Sequence, residues 1–160
     1  MIAKLQKGHA GTTATIERHY KHSAEQVWAY LTDNELLPKW FPELRSGELR
    51  TGGSMTFDMG DGTFEFMEIS DYVPASVLEY AWGADKVRFE LEEVPGGSRM
   101  LLIETIGTFT DHTPKDLAGW HVCLEVIESL LDENVPVNRK LAWEEQYRKY
   151  TALVEQYLNS

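Results

Sequence analysis

Along residues 12–20, TTATIERHY, threonines and apolar side chains alternate loosely, which predicts a first β-strand. The period then changes. Ser23 followed three positions later by Gln26 is a capping box, and Val27, Trp28 and Leu31 recur at helical spacing, so a short helix is expected from about 24 to 32. A second short helix follows, with Asn34 as its cap and Pro38 in its first turn, where a missing N–H breaks no intrahelical bond. Trp40 and Phe41 close it before Pro42. From Leu44 to Phe109 the period is two residues, cut by TGGS at 51–54, GDGT at 60–63, VPAS at 73–76, WGAD at 82–85 and PGGS at 95–98. These turns divide the segment into six strands joined as a meander. Met55, Phe57 and Met59 share one strand face, as do Leu78, Tyr80 and Trp82, and Val87, Phe89 and Leu91. Strands of this kind cover a core on one side and meet water on the other. The strands at 63–72 and 98–109 mix apolar and polar residues on both faces and do not declare an inner side.

The last third is helical. Thr113 as cap, Pro114 at the first helical position and Asp116 in the first turn predict a helix to about Glu133, roughly 30 Å long at 1.5 Å per residue. NVPVN at 134–138 interrupts the pattern, and Trp143, Tyr147, Tyr150, Val154 and Tyr157 then mark a final helix at alternating spacings of four and three. The fold class is therefore α+β: a curved antiparallel sheet of seven strands wrapped around a long C-terminal helix, with two short helices after the first strand. No low-complexity linker or internal repeat divides the chain, so residues 1–160 read as one domain.

Composition narrows the partners. A chain of 160 residues with 42% apolar side chains can bury roughly 70% of its unfolded surface, enough for one core with a pocket. At net charge -11 the surface field repels phosphate backbones and anionic headgroups, which argues against nucleic acid and membrane as partners. The start lacks a signal-peptide apolar run, no stretch approaches the roughly 18 residues of a membrane span, and one cysteine cannot form an internal disulfide. The expected location is the cytoplasm.

Candidate chemistry is sparse. Cys123 stands two residues from His121 in GWHVCLEVIESLL, but residues two apart on a helix do not face each other. At 100° per residue Val126, Leu130, Cys123, Ile127, Trp120, Leu131 and Leu124 fall within an arc of about 160°, so Cys123 belongs to the buried face and His121 to a polar edge beside Glu125, Glu128 and Asp132. The five histidines lack ligand spacing and a lone cysteine excludes a thiolate zinc site, so no metal or other cofactor is expected. The glycine pairs lie between strands and form hairpin turns, not phosphate loops. There is no GxSxG nucleophile elbow. What remains is an aromatic load of 11%, with Phe57, Tyr80, Trp82, Phe89 and Trp120 on inferred inner faces. These five are the candidate ligand-binding residues, for a sheet gripping one helix readily encloses an apolar pocket.

The segments SAEQVWAYLTDNELLPKWF, ELRTGGSMTFDM and GWHVCLEVIESLL, in this order, resemble the three that mark the family named after the C-terminal domain of the activator of the Hsp90 ATPase, within the START and birch-pollen-allergen-like (SRPBCC) superfamily. The resemblance runs from about residue 12 to 133 and implies the helix-grip fold. It implies a cavity for an apolar or aromatic small molecule as the first functional expectation and a heat-shock chaperone as the alternative partner. A third expectation, cyclase-like or hydrolase-like chemistry, needs a carboxyl inside the cavity. Glu68 and Glu104 are the acids within otherwise apolar strands, and the plainer expectation is that each points to water, so binding is favoured over catalysis and no catalytic residue is assigned. The break at 132–145, DENVPVNRKLAWEE, is expected to form a lid or a partner surface.

Overall fold

A computed structural model describes residues 1–160. Eight strands form one antiparallel sheet, one more than the alternation predicted. In chain order they are β1 (Lys4–Gly8), β2 (Gly11–Tyr20), β3 (Leu44–Ser46), β4 (Ser54–Asp58), β5 (Phe64–Val73), β6 (Val77–Trp82), β7 (Asp85–Val94) and β8 (Gly97–Ile106). The additional strand is β1, KLQKG, which has no alternating apolar face and owes its shape to pairing with β2 along the sheet edge.

The spatial order β1-β2-β8-β7-β6-β5-β4-β3 places consecutive strands side by side except between β2 and β3. There the chain crosses the whole sheet through α1 (Ala24–Thr32) and α2 (Leu37–Trp40). The Ser23–Gln26 capping box starts α1 as the sequence predicts. Asn34 does not cap α2. Its side-chain amide donates to the Ser46 carbonyl at 2.9 Å and its oxygen accepts the Ser46 N–H at 2.7 Å, so it ties the loop to β3 instead. In the RTGG turn at 50–53, Gly52 takes φ +88°, and a Cβ on Gly53 would collide with the Glu48 carbonyl. Both glycines pair with Ile69 on β5, which fixes this turn beside the register shift between Ile69 and Asp71.

Two long helices follow, α3 (Thr113–Leu131) and α4 (Arg139–Leu158). Thr113 is the first residue of α3, not its cap, and its hydroxyl accepts the Thr110 N–H at 2.9 Å. The irregular break covers only 132–138, because Asn138 accepts the Leu141 N–H and starts α4 there. The segment 139–145 is helix. The predicted apolar arc of α3 is turned inward, with Trp120, Leu124 and Ile127 buried. His121, expected on a polar edge, is buried as well, because α4 covers that side and brings Tyr150 against it.

The mixed strands declare themselves in three dimensions. Met67 and Ile69 are the buried pair of β5, and Ser98, Met100, Leu102, Glu104 and Ile106 form the buried face of β8. No helix is long and apolar enough to cross a membrane.

Candidate functional site

Asp116, Gly119, Trp120 and Cys123 recur every three or four residues on α3 and so share one face. Opposite them stand Trp82 from the end of β6 and Trp40–Phe41 from the end of α2. Trp120 packs on Trp82 with ring centroids 4.9 Å apart, on Phe41 at 5.8 Å and on Phe89 at 5.9 Å. Phe57 meets Trp82 at 6.2 Å, and Tyr80 lies 6.5 Å from Trp82 and 6.3 Å from Phe89. The five residues nominated by the sequence thus form one aromatic cluster. Their rings pack between sheet and helix, and only Trp82 and Trp120 reach open space.

That space is a cleft of about 730 Å³ at the end of the grip, walled by Trp40, Phe41, Trp82, Trp120, Val122 and Trp143. Its outer wall is the start of α4. The Trp143 indole donates to the Lys115 carbonyl at 3.3 Å, and Arg139 donates to the Lys39 carbonyl at 3.2 Å, so α4 is tied to α3 and α2. Lys115, Arg139 and Lys140 stand around the opening. The volume lies in the range that takes drug-sized ligands. Cys123 lines the cleft floor. Burial pushes its thiol up to about 12, so it stays unionised.

Beyond the Trp82–Asp116 pair lies a second, polar cleft of about 470 Å³. Trp82, His112 and Asp116 border both. The Trp82 indole N–H donates to Asp116 Oδ1 at 2.9 Å. Next to it Glu104, 1% exposed, has an Oε1 that faces no N–H or O–H donor. Two carboxylates at such a site bond only if one holds a proton. Burial, then the neighbouring Asp116 and Asp85, raise the Glu104 pKa far above the carboxylate range, so Glu104 is the protonated partner. Its expected outward orientation is therefore corrected: β8 turns it inward in register with Leu102 and Ile106. Glu68 is exposed on β5 as expected, away from either cleft.

A third polar group, His121, is fully engaged. Its Nδ1 lies 2.7 Å from the Tyr150 hydroxyl and its Nε2 is 3.2 Å from the Arg18 guanidinium. The Ala3 N–H donates to the same hydroxyl at 3.0 Å. Burial first, and the Arg18 charge second, lower His121 to about 4, so the ring is neutral at physiological pH.

Sequence reasoning missed the cleft-forming Trp40, Phe41 and Trp143 and the acid Asp116. Trp40 and Phe41 sat in view as the aromatic end of a short helix. The signal for Asp116 was its spacing of four from Trp120.

Comparison with known proteins places this geometry. The family model "Activator of Hsp90 ATPase homolog 1-like protein" matches residues 21–132, more than half of the chain. No curated protein matches. Among solved structures, EF2215 from Enterococcus faecalis, a conserved protein of unknown function, is 27% identical with a TM-score of 0.79, over 94% of this chain and 91% of that one. CalU16 from Micromonospora echinospora is 19% identical with a TM-score of 0.74, over 95% and 98%. DynU16, a protein in the dynemicin biosynthetic locus, is 22% identical with a TM-score of 0.64, over 75% of this chain and 47% of that one.

Proposed function

The chain belongs to the family of activator of Hsp90 ATPase homolog 1-like proteins, and from that premise we propose that it binds a small apolar or aromatic molecule in the larger cleft. The carrying observation is the ring of Trp40, Phe41, Trp82, Trp120 and Trp143 around 730 Å³ of open space. Aromatic walls supply large contact area at low entropic cost, and the mixed charges of Lys115, Arg139, Lys140, Glu43 and Asp116 around them suit a ligand with a polar end. The fold likeness to DynU16, a protein of a biosynthetic locus, agrees with a natural-product-like ligand. The cluster of Phe57, Tyr80 and Phe89 supports the wall from behind and fixes the positions of Trp82 and Trp120.

Native mass spectrometry of protein purified from its own host, followed by a thermal-shift screen of apolar metabolites, tests this reading. A bound mass that is lost in Trp143→Ala is the expected result. Ligand-free protein together with no shift from any apolar compound removes it.

The family description favours a second reading, stimulation of a chaperone ATPase. A protein of net charge -11 would meet a basic chaperone surface in a salt-sensitive encounter. ATPase assays with the host chaperone at low salt decide this, and no stimulation there dismisses it.

A further inference from the structure

The polar cleft differs from its neighbour in charge. Asp85, Glu104 and Asp116 line it, with the hydroxyl-bearing Thr108, Thr110 and Thr113, and neither lysine nor arginine does. Asp85 comes from the start of β7, where one carboxylate oxygen accepts the Gly107 N–H at 3.0 Å and the other is free of that bond. Asp116 comes from the first turn of α3 and spends Oδ1 on the Trp82 indole. Glu104 is buried behind them with Oε1 unpartnered. A protein gains no stability from such an arrangement, since a buried carboxyl oxygen without a donor has lost its water and gained no partner. The acids are arranged around a space, and that space is what they can serve.

Its occupant follows from the donor set. Anions are repelled. No three His, Cys, Asp or Glu side chains come together in metal-holding geometry, and 470 Å³ is far larger than a bare ion. An amine head fits both facts: it carries several N–H donors for the unfilled carboxyl oxygens, and its charge is attracted by carboxylates and by an aromatic ring such as Trp82. We propose that the polar cleft is a binding site for an organic ammonium group, with Asp116 and Asp85 as anionic partners, Glu104 as reserve acceptor and Trp82 as the aromatic wall.

Binding has a proton consequence. Burial and the facing carboxyls of Asp116 and Asp85 favour the protonated form of Glu104; the other titratable group lining the cleft is His112 at the start of α3. When the ammonium arrives, its charge favours loss of that proton from Glu104 to the buffer. The ammonium keeps its own protons and no covalent bond changes.

Titrations of the full chain with benzylammonium and with benzyl alcohol, followed by NMR, test the site. The ammonium should bind at least tenfold more tightly than the alcohol and shift backbone signals of 82–85 and 104–116. Asp116→Asn should weaken ammonium binding at least tenfold. Wild-type affinity should rise severalfold from about pH 6 to about pH 8, because the proton that Glu104 releases on binding is given up more easily as pH rises, and Glu104→Gln should flatten that rise while remaining folded. Equal affinity for the alcohol, an unchanged affinity in Asp116→Asn, or binding of a divalent cation in place of the ammonium overturns the proposal. Trp143 lies in the larger cleft alone, so loss of benzylammonium binding in Trp143→Ala but not in Asp116→Asn would assign the probe there and also overturn it. Failure here leaves the apolar-ligand reading intact, because that reading is scored with neutral compounds and Trp143→Ala.

Discussion

Helix α3 carries two inward-turned polar side chains five residues apart, half-buried Asp116 and buried His121, and the helix treats them differently. Five residues turn the helix by about 140°, so Asp116 faces the sheet and the clefts while His121 faces α4. Around His121 the nearby groups answer one another: Tyr150, Arg18 and the Ala3 N–H complete its network. Around Asp116 the network stops short, since Trp82 supplies one donor and Glu104 is left with an oxygen that nothing meets. A completed polar network holds elements together, here the chain start, β2, α3 and α4. An incomplete one marks the place where something from outside can finish it.

The largest test of that contrast concerns the aromatic core the two ends share. Trp120→Ala should cost about 3–5 kcal/mol by chemical denaturation, because the indole touches Trp82, Phe89, Phe41 and Trp40 and leaves a cavity when removed. A variant as stable as the parent would mean that neither end leans on this core.

Glu104→Gln should move in the opposite direction and stabilise the protein by about 1–3 kcal/mol at pH 8. Here the folded pKa is raised above the usual 4.5, so the folded state holds a proton that the unfolded chain releases, and stability falls as pH rises above 4.5. The variant should remove that slope. Loss of stability in Glu104→Gln would show the acid to be structural after all.

His121 supplies the mirror case. Its folded pKa is lowered from 6.5 to about 4, so the unfolded chain binds a proton first and stability is lost as pH falls from 6.5 towards 4. Tyr150→Phe, which takes the hydroxyl from both His121 and Ala3, should cost about 1–2 kcal/mol at neutral pH. A neutral outcome would break the contrast from the other side.

The smallest effect belongs to Cys123. Cys123→Ala should change stability by about 1 kcal/mol or less, and native Cys123 should react slowly with thiol reagents because its thiol is held up to about 12. Rapid stoichiometric labelling would show the cleft floor to be more open than its packing indicates.

These ends were not equally legible in the chain. Periodicity placed α1 to the residue and turned Trp120, Leu124 and Ile127 inward, because burial against a sheet imposes a one-sided pattern. It failed for His121, since a helix covered on a second side no longer shows that pattern, and the covering element lies 29 residues away. β1 was invisible because an edge strand needs only a partner backbone. Glu104 shared its alternation with Ser98, Met100, Leu102 and Ile106, but two polar residues in the row hid which face was inner. Asp116 was read as a first-turn acid, and its link to Trp82 depends on sheet and helix meeting across 34 residues of sequence.

The pairing of Trp82, which borders both clefts, with Trp120 in the larger one has an optical consequence. Trp82 and Trp120, 4.9 Å between centroids, are close enough for their excited states to couple, and Trp40 stands 6.5 Å from Trp120. Excitation of any one of them drains to its neighbours, while the Asp116 carboxylate at the Trp82 N–H shifts the colour of the light that Trp82 emits. A molecule entering either cleft perturbs this coupled set, so emission and near-ultraviolet circular dichroism report occupancy without any label.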